Sequence, residues 1–110
     1  MTEDKSLGFM GLAMRAGKVI CGFDAVCNSL KRREVKLLIF AGDISRNTLD
    51  KLLTLGEKGI ELPDAYSFST AGRLGDALGK SPKAVIGISD DGFARKLSEM
   101  LNDFDEEGNN

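Results

Sequence analysis

Val35-Lys36-Leu37-Leu38-Ile39-Phe40-Ala41 is the stretch on which the fold turns. Six of these seven residues are apolar, and the run shows no polar alternation. A short, continuous apolar run bounded by Glu34 and by Gly42-Asp43 reads as a central strand covered on both faces, as in an α/β sheet. If both faces are covered, helices must flank it in the chain.

They do on both sides. Upstream, Phe23, Val26, Cys27 and Leu30 recur at i, i+3, i+4 and i+7, predicting a helix that opens after Gly22 and runs to about Arg33. Before it, Val19-Ile20-Cys21 is a short β-prone run. Further upstream, Phe9, Leu12, Ala13 and Ala16 form one helical stripe and Leu7, Met10 and Met14 a second, so the first helix should be largely buried before Gly17 ends it.

Downstream, Gly42-Asp43-Ile44-Ser45 makes a turn, with Ser45 or Asn47 as the N-cap of a helix carrying Leu49, Leu52 and Leu53 and ending at Gly56 or Gly59. Ala65-Tyr66-Ser67-Phe68 is the next strand. Ser69 or Thr70 caps a short helix with Leu74, Ala77 and Leu78, which Gly79 and Pro82 close. Ala84-Val85-Ile86-Gly87-Ile88 is a second buried-type strand. Asp90 or Asp91 caps a last helix bearing Phe93, Leu97, Met100, Leu101 and Phe104.

The order α-β-α-β-α-β-α-β-α predicts an α/β fold: a three-layer α/β/α sandwich with a small four-stranded mixed sheet. A chain of 110 residues suits one domain, here residues 1–104, with residues 105–110 expected to form an acidic disordered tail. Nothing resembles a signal peptide or a long apolar span, so the cytoplasm is the expected compartment.

Charge is unevenly placed. The net charge is −2, yet Asp103, Asp105, Glu106 and Glu107 crowd the last eight residues, and without those four the balance becomes +2. From Arg15 to Lys36, six cations stand against two carboxylates, a balance of +4 that marks a candidate electrostatic footprint.

Catalytic and metal chemistry find little support. There is no histidine, and Cys21 and Cys27 are too few for a disulfide framework or a zinc site, so no metal, cofactor or catalytic residue is expected and both thiols read as reduced. The segment from Gly11 to Val19 superficially suggests a phosphate-cradling loop. However, five residues rather than four separate its glycines, Val19 replaces the magnesium-binding hydroxyl, and it lies within a helix. Gly72, Gly75 and Gly79 lack dinucleotide-binding spacing and read as glycines permitting close packing. Asp90-Asp91 reads as a helix cap, and no base can be named for Cys21.

Three segments together carry a family resemblance: Gly8 to Gly22 (GFMGLAMRAGKVICG), Val35 to Asp43 (VKLLIFAGD) and Leu74 to Pro82 (LGDALGKSP), followed by Asp90-Asp91-Gly92-Phe93-Ala94. Over about residues 6 to 102 the chain resembles the ribosomal seven-Ae/thirty-e superfamily, especially its short bacterial YlxQ-like branch. The resemblance implies a domain that binds kinked RNA stems, ribosomal or ribosome-associated, with no catalysis. It implies structured RNA as the partner, neither DNA nor a membrane, and a monomer.

In that family the RNA-facing motif opening the second helix reads Gly-x-Asn-Glu-x-x-Lys. The aligned residues here are Gly22-Phe23-Asp24-Ala25-Val26-Cys27-Asn28. Gly22 is retained. Asp24 can accept hydrogen bonds from a guanine edge, or serve simply as a carboxylate in a first helical turn. Ala25 and Asn28 depart from the motif, which keeps open a non-catalytic protein-interaction module that has lost RNA binding. Phe23 belongs to the motif by position but to the core by its apolar stripe.

Lys18, Lys31 and Arg32 are candidates to compensate for the missing lysine. The second implied contact is the loop before the last strand. There Lys80 and Lys83 can meet phosphates beside Ser81, while Pro82 and Val85 offer apolar surface to a splayed base; the plain alternative is a proline turn with solvated lysines. Asp43, after the central strand, is a third candidate. The expectation is that the Gly22 helix start and the Lys80-to-Val85 loop form one surface.

Overall fold

The computed structural model describes residues 3–108, with side chains described through residue 102. Its elements follow the expected alternation: α1 (Glu3–Arg15), β1 (Val19–Cys21), α2 (Phe23–Lys31), β2 (Leu37–Phe40), α3 (Arg46–Glu57), β3 (Ala65–Ser67), α4 (Ala71–Leu78), β4 (Val85–Ile88) and α5 (Asp91–Gly108).

The strands form one sheet in the order β1-β4-β2-β3, with β4 antiparallel to both β1 and β2, and β2 parallel to β3. β2 is therefore interior, as its composition requires, with Leu37, Leu38 and Ile39 all buried. Pairing outlasts the strand at both ends, where Lys36 N–H donates to Ile88 O at 2.7 Å and Ala41 N–H to Ala84 O at 2.8 Å.

Side chains alternate across the sheet and sort the helices into two layers. Leu37, Ile39, Ile86 and Ile88 point into a core with Leu7 and Met10 of α1, Leu74 and Leu78 of α4, and Leu97 and Leu101 of α5. Leu38 and Val85 face the other way, against Val26 and Leu30 of α2 and Leu52 of α3. Each fully buried Leu or Ile stabilises the fold by about 1.5–3 kcal/mol, so the two cores together hold the sheet from both sides.

Several sequence readings are refined. Ser45, Thr70 and Asp90 are the caps chosen from each pair, accepting from Thr48, Arg73 and Phe93 N–H at 3.1, 3.2 and 2.9 Å. Leu12 and Leu53, placed on apolar stripes, are 48% and 50% exposed; the buried stripe of α1 is Leu7, Met10 and Ala13 instead. α2 stops at Lys31, two residues short of Arg33, because the chain reverses there: Arg33 is left-handed (φ 60), and Glu34 N–H reaches back to Ser29 O at 2.9 Å. α5 passes the expected Phe104 boundary to Gly108, since no Gly or Pro intervenes. Of the expected tail, residues 109 and 110 lie outside the described residues.

Candidate RNA interface

The strand directions decide what meets what. The C-terminal ends of β1, β2 and β3 and the N-terminal end of β4 share one edge of the sheet. Along that edge, Gly22 N–H donates to Val85 O at 3.0 Å, Gly42 N–H to Ser69 O at 2.9 Å, and Lys83 N–H to Ala71 O at 3.0 Å. The start of α2, the turn after β2, the start of α4 and the loop before β4 thus form one continuous rim. The two expected segments are neighbours.

Gly22 takes φ 94 and ψ 155, a conformation that a side chain strongly disfavours, and this bend turns β1 directly into α2. Having no side chain, Gly22 cannot cap the helix it begins. The N–H groups of Phe23, Asp24 and Ala25 find no acceptor among the described residues, in contrast to the capped α3, α4 and α5. Such an opening presents donors and the positive end of the helix dipole to solvent. Asp24, Ala25 and Asn28 are exposed on the outer face of this helix, whereas Phe23 packs on the inner core.

The loop opposite is built by α4. Gly79, left-handed at φ 70, closes the helix with paired bonds from Gly79 N–H to Asp76 O (3.1 Å) and from Lys80 N–H to Gly75 O (2.8 Å). The chain then folds back over Gly75, where a Cβ would collide with Ser81 O and stand 2.7 Å from Ser81 C and 2.9 Å from Pro82 Cα. Close packing is thus required at Gly75 but not at Gly72, where a Cβ would meet nothing within 4 Å. Ser81 and Pro82 are exposed, Lys83 is half-buried, and Lys83 Nζ donates to Ser81 Oγ at 3.3 Å.

The Cys21 thiol marks the junction. Burial pushes its pKa up from the ordinary value, and the Lys80 and Lys83 ammoniums pull it partly back, so both cations act at the end of β1 beside the open α2 start. Cys21 Sγ also lies 3.9 Å from Met14 Sδ. Burial likewise raises the pKa of Cys27, with Lys31 opposing and Asp24 reinforcing the shift.

Other expected members fall elsewhere. Val85 is 1% exposed and faces α2, because the strand alternation turns its side chain into the core; it cannot offer surface to a base. Asp43 is on the rim, but its Oδ1 accepts Ala71 N–H at 2.9 Å, so its visible role is to tie the β2 turn to α4. Lys18 lies at the opposite edge of the sheet, where its carbonyl accepts Ser89 N–H at 2.9 Å. Lys31 and Arg32 follow the far end of α2, eight to nine residues or about 12–14 Å from its start. Lys18 is therefore remote from Asn28, while Lys31 lies one turn beyond Asn28 on the same exposed face, away from the helix start.

One rim residue escaped the sequence reading. Ser69 is left-handed at φ 60, and its Oγ is buried without a partner. Only the placement of Ser69-Thr70 between a strand and a cap hinted at a bend there.

The model of the Ribosomal protein L7Ae/L30e/S12e/Gadd45 family matches residues 4–98. The chain belongs to this family. It is 36% identical over 99 residues to a protein named RNA-binding protein YlxQ from Enterococcus faecium, covering 90% of this chain and 93% of that one. It is also 36% identical over 92 residues to the protein of the same name from Bacillus subtilis (strain 168), covering 84% and 90%.

Among solved structures, a Bacillus halodurans C protein described as of unknown function superposes with TM-score 0.78 at 32% identity, covering 89% of this chain and 97% of that one. The Giardia lamblia 15.5kD RNA binding protein superposes with TM-score 0.68 at 20% identity, covering 88% and 82%, which shows the shared α/β sandwich. None of these names is that of an enzyme. Among the described residues, no helix is long and apolar enough to cross a membrane.

Proposed function

We propose that this protein binds structured RNA, gripping a sharply bent or bulged stem of the kink-turn kind between the open start of α2 and the Lys80–Lys83 loop. The observation that carries the proposal is the hydrogen bond from Gly22 N–H to Val85 O, which brings three free helix amides beside two lysines. Amides at a helix start bind phosphate through direct N–H contacts and the dipole, and two ammoniums add charge neutralisation. Relatives named as RNA-binding proteins at 36% identity support the same partner.

Recognition in this reading is mainly of shape. A phosphate held by backbone amides carries no base identity, and Asp24 is left as the side chain able to accept from an exposed guanine edge. As an anion near phosphates, Asp24 also lowers affinity for RNA that does not satisfy it. Exposed Pro82 supplies the apolar surface that Val85 does not. The chain acts as a non-catalytic cytoplasmic ribonucleoprotein component associated with ribosomes, as a monomer.

Ala25 and Asn28, which leave the middle of the α2 face without charge, favour one second reading, a protein-interaction module on the same fold. Anisotropy titration separates the two, comparing a kink-turn RNA with the same stem fully paired, at about 0.15 M salt. The proposal expects tighter binding to the bent RNA. Equal affinity for both removes shape recognition, and no binding even at low salt favours the protein-interaction reading.

A further inference from the structure

Two of the cations that sequence position suggested for the clamp, Lys31 and Arg32, lie elsewhere. Lys31, Arg32, Arg33 and Lys36, all exposed, occupy the corner where α2 ends and β2 begins. Arg33 and Lys36 line one hollow of about 290 Å³ with Leu30, Val35, Glu61 and Pro63. Carboxylates stand near these charges, most of them beside Lys36. Glu34 stands 3.8 Å from Arg32, both well exposed, Glu61 shares the hollow with Arg33 and Lys36, and Lys36 shares the adjoining hollow with Asp64, Asp91 and Glu99 as well as Arg95. Among the described residues, Lys31, Arg33 and Lys36 form no ion pair.

Arg33 is placed there against backbone preference. It is the left-handed residue closing α2, with Arg33 N–H bonded to Leu30 O at 3.0 Å and Glu34 N–H to Ser29 O, a position where glycine or asparagine is favoured. A strained cation within a run of three points to a use for its charge.

The outer face of α2 connects this corner to the clamp. Asp24, Ala25, Asn28 and Lys31 are its exposed residues at i, i+1, i+4 and i+7, so the face runs unobstructed from the free amides to the basic corner. The separation of about 12 Å is short beside an RNA stem, so one stem can touch both ends.

We infer that the Lys31-Arg32-Arg33-Lys36 corner is a second phosphate-binding surface, taking the backbone of a duplex RNA stem that leaves the clamp along α2. This rests on the RNA-binding reading above and adds to it a division of labour. The clamp selects the bend, and the corner supplies sequence-independent affinity through counterion release.

The test uses the full chain carrying Lys31→Ala, Arg32→Ala and Arg33→Gly together; glycine suits the left-handed site, and a melting curve confirms folding. Wild type and variant are titrated across salt concentrations with bent RNA, with the paired control, and with bent RNA trimmed in each stem in turn. The variant is expected to bind bent RNA at least tenfold more weakly at about 0.15 M salt, with a log–log salt slope shallower by about two to three units. The preference for bent over paired RNA should stay at the wild-type ratio. Trimming one stem should cost wild type a comparable factor and cost the variant little.

A wild-type slope in the folded variant, with preference for bent RNA intact, overturns the corner and leaves the clamp standing. Loss of that preference in the variant assigns the corner to shape selection and overturns the division of labour. Failure of wild type to prefer bent RNA refutes the clamp, and this inference with it.

Discussion

Replacing Gly75 with alanine tests how the candidate interface is built. The added Cβ would meet backbone rather than a yielding side chain: Ser81 O in direct collision, Ser81 C at 2.7 Å and Pro82 Cα at 2.9 Å. Ordinary carbon–carbon contact is about 3.5–4.0 Å, so the loop must move outward by roughly 1 Å. Overpacking of this kind costs about 1–3 kcal/mol, against a gain of about 1 kcal/mol for alanine over glycine inside a helix. The net expectation is a loss of up to about 2 kcal/mol, or several degrees of melting temperature.

Gly72→Ala is the matched control on the same helix. Its Cβ would enter open space, so it should raise stability by up to about 1 kcal/mol. Thermal unfolding reads both variants, and RNA titration should show weaker binding to bent RNA for Gly75→Ala alone, because Lys80 and Lys83 move with the loop. If Gly75→Ala melts and binds as Gly72→Ala does, the loop does not depend on lying against α4.

Further expectations concern other parts of the rim and of α2. Arg33→Gly alone relieves the left-handed backbone and should stabilise the fold by about 1 kcal/mol, measured by urea unfolding with unchanged m-value; a loss of stability would contradict the geometry. Asp43→Ala removes the acceptor of Ala71 N–H and should cost about 0.5–2 kcal/mol, whereas Asp43→Asn retains an acceptor oxygen and should cost less. Burial raises both thiol pKa values above their ordinary 9.0, so the folded state disfavours thiolate. Their stabilising contribution is complete below that value and is lost as pH rises through the folded pKa. Cys21→Ser with Cys27→Ala should therefore flatten the decline of stability above pH 9.0 and leave its pH dependence near neutrality unchanged.

The fold was legible because its signals are local and mutually consistent. The apolar run around Ile39 demanded two covered faces, and the helical stripes of α2, α4 and α5 supplied the covers. Strand order, by contrast, is set by which edges meet in space. No residue of Val19-Ile20-Cys21 states that its partner is β4 rather than β2.

The same difference runs through the site. Gly22, Lys80 and Lys83 could be named because the family resemblance implies contacts at the start of the second helix and in the loop before the last strand, and the sheet brings those two segments together. Val85 failed because only strand register decides which way a side chain turns. Lys18 lies away from the rim and Lys31 and Arg32 at the far end of α2, because closeness in sequence to Gly22 counts for little when a strand or helix intervenes. The left-handed conformations of Ser69 and Arg33 left no compositional mark, since neither residue is one that favours that region.

The most direct test follows the backbone amides of isotopically labelled protein by NMR as a bent RNA is added. The account predicts that the largest shifts fall on Phe23, Asp24 and Ala25 together with the residues from Lys80 to Lys83. Saturating RNA that leaves both segments undisturbed while shifting amides elsewhere would contradict it.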